Sequence, residues 1–536
     1  MKYSQTFSQH LIFHSTERHT FTKYLSHEAF RCSANGLGTK SASRSPYSNT
    51  HLMRIGQTSF VVFASKLVGS ALGFVATLYF ARTLGAAVLG HYALVLAIVG
   101  WLALGGQLGI SSAIVKRISE GEEPAAHFTA GMIVVAALGL VLSIGVLALR
   151  GVVNAYVGTQ VALFVALLLL IRLASSIVNA GLKGERHVHI SGFLMPVQTG
   201  FRSAFQIGLV LTGFGLSGML LGHAIGAILA VFVGAAFLSI DMIRPSRRHF
   251  RSLFDFAKFS WLSGLKSRSF NDVDIVVLGA LVPSALVGVY SVAWSIATFL
   301  TLFDSAVSST LFPELSHADA SAEHDRVAGL ITDSLTYGGL IVIPGLFGGI
   351  VLADRLLQIY GDEFTQGAAV LGLLILASLV YGYQKQLMNA LNALDRPDVA
   401  FRVNIVFIVT NAVLNVVLVF WIGWIGAAIA TVTSACIGLG LSYYSLRQLV
   451  SFAVPTGELS RQIIAALVMA GLVSGGRDGL EALDVTHNAF IVVSLTAVGA
   501  AMYFLVLFTI SQQFRTTVIA NTPDQLPSVL DTFTTK

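Results

Sequence analysis

Val282-Pro283-Ser284-Ala285-Leu286-Val287-Gly288-Val289-Tyr290 reads without a gap against Leu84-Gly85-Ala86-Ala87-Val88-Leu89-Gly90-His91-Tyr92. Both stretches keep Gly-x-Tyr after a turn of small residues, and each joins two long apolar segments. Working outward, the whole of Asp255–Pro313 looks like a second copy of Gln57–Val115, with Ser309-Thr310 standing where the first copy has Ser111-Ser112. Unusually for apolar segments, the later copy carries Lys258, Lys266, Arg268, Asp272 and Asp274 before its turn and Asp304 after it. Two similar halves, each with charges in its opening hairpin, point to a transporter whose site lies between them.

Of the 536 residues, 55% are hydrophobic and 11% charged, against about 25% charged in a soluble domain. That composition marks a polytopic, all-α membrane protein. The net charge of +6 is accounted for by loops beside anionic lipid, without nucleic acid. Cys32 and Cys436 fall in a polar tail and an apolar segment, which disfavours a disulfide or a thiolate metal site.

At about 20 apolar residues per crossing, the sequence predicts about fourteen transmembrane helices. Residues 1–52 are polar, hold five of the 14 histidines, and are expected to be a disordered or spurious extension. Residues 53–243 form a lobe of six spans, the third (Phe128–Leu149) and fourth (Thr159–Leu182) joined by a loop; 244–254 form a basic linker, and 255–449 a second lobe of six whose second span, the eighth overall, is Ala285–Leu311. Two further spans occupy 450–511, the thirteenth (Ile463–Gly475) being short, and 512–536 form a tail. An even number of spans separates the copies, so the repeats are parallel and related by an axis along the membrane normal. Lys116, Arg117, Lys183, Arg186, Arg244, Arg247, Arg248 and Arg251 fall in loops on one face, while Asp354, Asp362, Glu363, Asp478, Glu481 and Asp484 collect on the other. Basic loops stay inside, which makes this a multi-pass protein of the cell membrane with both termini cytoplasmic.

Ala81-Arg82-Thr83-Leu84-Gly85, Gly90-His91-Tyr92 and Leu108-Gly109-Ile110-Ser111-Ser112-Ala113, followed by a basic pair, resemble the opening of the Wzx-type polysaccharide-biosynthesis flippases. So does the run from Asp274 through Leu278-Gly279 and Val287-Gly288-Val289-Tyr290 to Leu311-Phe312-Pro313, and the similarity extends over roughly Met53–Leu446. The resemblance implies a fold shared with multidrug-and-toxin extruders and lipid II flippases. It also implies movement of a polyprenyl-phosphate- or pyrophosphate-linked oligosaccharide across the membrane, for surface polysaccharide or glycoprotein glycan assembly. Glycosyltransferases, or a glycan polymerase or ligase, of the same pathway are the partners it suggests. Gln107 departs from the family, which often carries an acid there.

Six basic residues lie within predicted spans: Lys66, Arg172, Arg202, Lys266, Arg268 and Lys385. Each costs about 2.5–3.5 kcal/mol at the bilayer centre, so six facing lipid would cost on the order of 15–20 kcal/mol, more than a typical fold's stability. They must snorkel, pair, or line water. Snorkelling suits Lys385 and Lys258. Asp272 at i+4 can neutralise Arg268, and Asp274 or Asp304 can reach other cations across helices. The alternative is a cationic cavity in which Lys66, Arg172, Lys266 and Arg268 replace the hydration of a lipid-borne phosphate. Candidate sugar or cavity contacts are Asn179, which shares a face with Arg172 and Ser176; Tyr381, Lys385 and Asn389; and the stripe Asn404, Asn411 and Asn415. Such stripes also serve as helix glue. Asp272, Asp274 and Asp304 are candidates for ion or proton coupling.

No Walker-type glycine loop and no metal-ligand spacing is present, so neither a cofactor nor a metal is expected, and no enzyme chemistry. The rival readings are a drug or cation antiporter of the same fold, which needs a carboxylate-dominated cavity, and a membrane glycan polymerase or ligase, which needs a large outer catalytic loop.

Overall fold

The computed structural model describes residues 47–482 and 487–521, with side chains described from Leu67 onward except at positions 259, 262, 263, 305, 306, 309, 520 and 521. The chain divides into two compact units, 1–56 and 57–536. Of the first, only helical backbone at 47–56 is described, and the bulk of the expected extension 1–52 lies outside the described residues.

All regular structure described is helical. The first half comprises α1 (Tyr47–Gln107), α2 (Ile110–Glu120), α3 (Pro124–Ala148), α4 (Arg150–Val157), α5 (Ala162–Gly184), α6 (Val188–Leu211) and α7 (Gly215–Ala235). The second comprises α8 (Arg247–Leu281), α9 (Ser284–Phe299), α10 (Leu302–Ala320), α11 (His324–Gly338), α12 (Val342–Val351), α13 (Ala353–Gln358), α14 (Ala368–Ala393), α15 (Pro397–Ile422) and α16 (Ile425–Arg447). Then follow α17 (Thr456–Ala482), α18 (Asn488–Ile510) and α19 (Gln512–Asn521). Among the described residues, ten helical stretches are long and apolar enough to cross a membrane; the 41 residues of Leu67–Gln107 are about twice the ~20 that one crossing needs.

The two matching turns break the helix by different means. In α1 the bend falls at Gly85, whose φ of 78° is a conformation that side chains with a Cβ resist. In the later copy α8 stops, Val282 is extended, and Pro283 at φ −58° leads into α9. Proline cannot continue a helix but is pre-set to begin one.

The copies then meet each other. A Cβ on Gly90 would lie 1.8 Å from the Ser284 carbonyl oxygen, and one on Gly288 would lie 1.9 Å from that of Ala86. Ala86 and Ser284 are counterparts in the ungapped alignment, so the contact is reciprocal, as at a two-fold interface. Around it Leu89, Leu94, Val287, Val289 and Tyr290 are buried in one core shared by both halves. Polar contacts at the same end add to the seal: Arg82 donates to the Ile359 carbonyl at 2.6 Å, and the Ala86 N–H to Glu363 Oε1 at 2.7 Å.

At the opposite end Glu123, before α3, accepts hydrogen bonds from Arg248 and His249 at the start of α8. His249 and then Arg248 hold the Glu123 carboxyl below the usual carboxylate range. Ser260 of α8 donates to the Gly109 carbonyl at 3.1 Å. The halves are thus joined at both ends, with polar groups enclosed between.

Within each half the last hairpin is tight. Gly222 and Gly226 of α7 let it approach α6 so closely that a Cβ on either would lie 2.4 Å from the backbone nitrogen of Gln206 or Arg202. This is close packing by small residues, and Gly426 plays the same part for α16 against Leu418 of α15. α7 also packs on α5 as α16 does on α14, while α17 and α18 pack on each other and α17 on α12.

Three local expectations are corrected. The eighth span, expected unbroken over Ala285–Leu311, divides at Leu300-Thr301 into α9 and α10; Thr298 and Thr301 there turn their hydroxyls back onto backbone carbonyls, which competes with helical hydrogen bonding. The thirteenth span is not short but runs Thr456–Ala482. Its added turns are polar, helped by Glu458–Arg461 and Arg477–Glu481 pairs, so apolar counting missed them. Residues 150–157, expected as a loop, form α4, and the Asn154 carboxamide caps the next helix by accepting from Val161 and Ala162, both at 2.9 Å.

Candidate functional site

Arg172 lies on α5 one turn before Ser175 and Ser176 and two turns before Asn179, and helical spacing brings these onto one wall. With Gln107, Gln198 and His223 from three other helices they line a cavity of about 280 Å³. Arg172 keeps solvent-accessible surface although protein surrounds it closely, as a group facing a cavity does. It has no hydrogen bond or ion pair among the described residues. Asn179 is held by its own amide to the Ser175 carbonyl and by Ser191, each at 2.9 Å.

From the other half, Arg268 on α8 enters the same region paired with Asp272. Its approach depends on Gly100 of α1, where a Cβ would lie 2.5 Å from the guanidinium. Arg172 is within electrostatic reach of both Arg268 and Asp272. The structure therefore gathers Arg172, Arg268 and Asp272 across the two halves. Lys66 falls outside the residues whose side chains are described.

Lys266 goes elsewhere, with Lys385 nearby and the Tyr381 ring 5.5 Å from its ammonium. Tyr381 stacks on Phe270 at 3.6 Å. Lys385 does not simply snorkel: its ammonium lies 3.4 Å from Asp304, whose carboxylate also accepts from Gln386 at 2.5 Å. Half-buried Asn389 lies one turn beyond Lys385 on the same helix.

Asp274 sits in a third cluster, where it accepts from Tyr290 and, at 2.8 Å, from Thr431. Asn411 accepts from Ser269 at 3.2 Å, and Asn415 donates to the Asn411 carbonyl at 3.1 Å. Both asparagines are fully buried, and their hydrogen bonds tie α8, α15 and α16 together. Asn404, at the other end of that stripe, is half-buried with its amide oxygen unpaired among the described residues.

Sequence reasoning named Arg202 but passed over its neighbours on α6. Gln198 lines the cavity, and Arg202 and Gln206 follow it at intervals of four residues, packed against Gly226 and Gly222 of α7. Arg202 has a buried Nε without a partner among the described residues. The Gln206 amide donates to the Met219 carbonyl at 2.7 Å and to the Tyr92 hydroxyl at 3.0 Å, and that hydroxyl lies 2.8 Å from His223 Nδ1. Arg172 and Arg202 both act electrostatically on the His223 ring. No carboxylate is among the described residues lining the cavity, and Arg172 is the cation among them, so its chemistry suits an anionic or oxygen-rich group.

A family described as polysaccharide biosynthesis protein matches residues 79–369. The probable flippase AglR of Haloferax volcanii is 30% identical over 472 residues, 87% of this chain and 98% of that protein. The probable low-salt glycan biosynthesis flippase Agl15 of the same organism is 29% identical over 428 residues, 79% of this chain and 90% of its own. Among solved structures, the lipid II flippase MurJ in an inward closed conformation superposes with a TM-score of 0.72 at 16% identity, covering 86% of this chain and all of that one.

Proposed function

Since the chain belongs to the polysaccharide biosynthesis protein family, we propose that it is a flippase carrying a polyprenyl-phosphate- or pyrophosphate-linked oligosaccharide across the cell membrane by alternating access. The observation that carries this is Arg172: a guanidinium with no counter-charge of its own, in a membrane-embedded cavity that no carboxylate lines. A fixed cation there replaces water around a phosphate. Arg268 adds a second from the opposite half, and Lys66 and Lys266 complete the phosphate path. Asn179 faces the head group from the Arg172 wall; Tyr381, Lys385, Asn389 and Asn404 meet sugar when the second half opens. Asn411 and Asn415 reach substrate only if α15 separates from α16. Asp272, Asp274 and Asp304, each held by a different partner set, are the groups whose ionisation or ion binding couples transport to a gradient.

The architecture that goes with this reading is fourteen spans in two parallel six-helix lobes, 53–243 and 255–449, with 450–511 appended. The reciprocal Gly90–Gly288 crossing supports a two-fold axis between them. Arginine-rich 244–251 supports an orientation with the Glu123 end and both termini in the cytoplasm. Single cysteines at Ser246 and Gly361 are then expected to react with an impermeant reagent from opposite sides; equal labelling from outside would overturn the orientation.

A drug or cation antiporter of this fold is disfavoured because its cargo calls for acids where this cavity has Arg172. In cells depleted of the protein, lipid-linked oligosaccharide should accumulate on the inner leaflet, protected from an impermeant oxidant that attacks it in normal cells. Unchanged oxidation together with new drug sensitivity would favour the antiporter.

A further inference from the structure

Tyr92 and Tyr290 are counterparts in the two matching stretches, yet their hydroxyls keep different company. Tyr290 donates to the carboxylate of Asp274. Tyr92 lies between an amide and an imidazole, and the acceptors within reach along that chain favour one order of donors. The Met219 carbonyl can only accept, so the nitrogen of the Gln206 amide faces it. Of that nitrogen's two hydrogens, one goes to Met219 and the other to the Tyr92 oxygen. Tyr92 has one hydrogen of its own, and His223 Nδ1 is the acceptor in reach at 2.8 Å. In the neutral ring the proton then sits on Nε2. His223 lines the cavity beside Arg172, and its Nε2 has no acceptor among the described residues.

We propose that His223 donates a hydrogen bond from Nε2 to an oxygen atom of the transported head group, with Tyr92 and Gln206 as positioning residues that hold the ring neutral and in that tautomer. This rests on the flippase reading and deepens it, because the ligand class becomes an acceptor oxygen, carried by either phosphate or sugar. A neutral donor also suits its place: with Arg172 and Arg202 both acting on this ring, a third cation would be repelled, whereas an N–H adds a directional contact without adding charge. Gly222 serves the same arrangement, since any side chain there would push Gln206 away from Met219 and Tyr92.

Two measurements on the full chain in lipid nanodiscs test this. Nitrogen NMR of the ¹⁵N-histidine-labelled, ligand-free protein, assigned by His223→Gln, should show an unprotonated Nδ1 and a protonated Nε2 for His223, and a mixture of tautomers in Tyr92→Phe. A protonated Nδ1 in the parent protein overturns the proposal. Binding is then measured with two probes, a short polyprenyl phosphate and the same lipid bearing one hexose. His223→Leu should weaken binding about tenfold, as loss of one such contact does, and His223→Gln, which keeps an N–H donor, should recover most of it. Weakening of both probes identifies a phosphate oxygen and weakening of the hexose probe alone a sugar oxygen; binding indifferent to His223→Leu overturns the inference by itself. A parent protein that binds neither probe overturns the flippase reading and this inference with it.

Discussion

Arg172→Ala is expected to lower export of the lipid-linked oligosaccharide by a factor on the order of 10–100, the equivalent of one or two charge-assisted hydrogen bonds, while membrane abundance stays unchanged. The second half of that expectation follows from its surroundings. Arg172 has no ion-pair partner among the described residues, so its removal strands no carboxylate. Arg268→Ala differs, because it leaves Asp272 alone in a partly buried site. Breaking one side of such a pair costs about 3–5 kcal/mol when burial is complete, and Asp272 retains some solvent, so a smaller but visible drop in abundance accompanies the loss of export. The double variant Arg268→Ala, Asp272→Ala should regain abundance without regaining export. Arg172→Lys keeps charge but not the two-pronged grip and should fall between parent and alanine. Quantitative blotting of membranes beside a glycan-export assay reads all of these; parental export by Arg172→Ala rejects the cationic-cavity mechanism.

Gly90→Leu should be nearly as severe, for a steric reason. A Cβ already falls 1.8 Å from the Ser284 carbonyl oxygen, less than any side-chain shift can relieve, so α1 and α9 must part. Overpacking of this kind costs about 1–3 kcal/mol or more, enough to bias the state closed at the Gly85 end by roughly five- to more than a hundredfold against its alternatives. Export should collapse because the cycle loses one of its closed forms. In a background with Cys32 and Cys436 replaced, Val287→Cys, buried in that seam, should be silent to an impermeant thiol reagent and become reactive once Gly90→Leu is added. A thiol that stays silent, with export intact, would show that the crossing does not gate.

Much of the helical plan was legible because its cause is local. The apolar runs, the Gly85 and Pro283 breaks and the ungapped repeat are properties of neighbouring residues. Arg172, Ser176 and Asn179 were found together for the same reason, since spacing along one helix determines a face. What was not legible depended on partners distant in sequence. Nothing near Lys385 announces Asp304, and nothing in Asn411 or Asn415 says that Ser269 and Thr431 close over them. His223 escaped notice because a single histidine in an apolar helix carries no pattern; its meaning comes from Tyr92 and Gln206, on two other helices. Polar helix ends such as those of α17 were missed because span-counting sees hydrocarbon thickness, not hydrogen bonding.

The Gly90–Gly288 crossing also governs how this chain tolerates change over generations. The two missing Cβ atoms share one thin layer of space, so the first substitution there does the separating and the second enters a gap already opened. Gly90→Ala with Gly288→Ala should therefore harm less than the sum of the two alone, a coupling between neighbours that a double-mutant cycle measures. Selection defends such a pair only while both members are intact. A lineage that has lost one glycine is under little pressure to keep the other, and it can return only by restoring both.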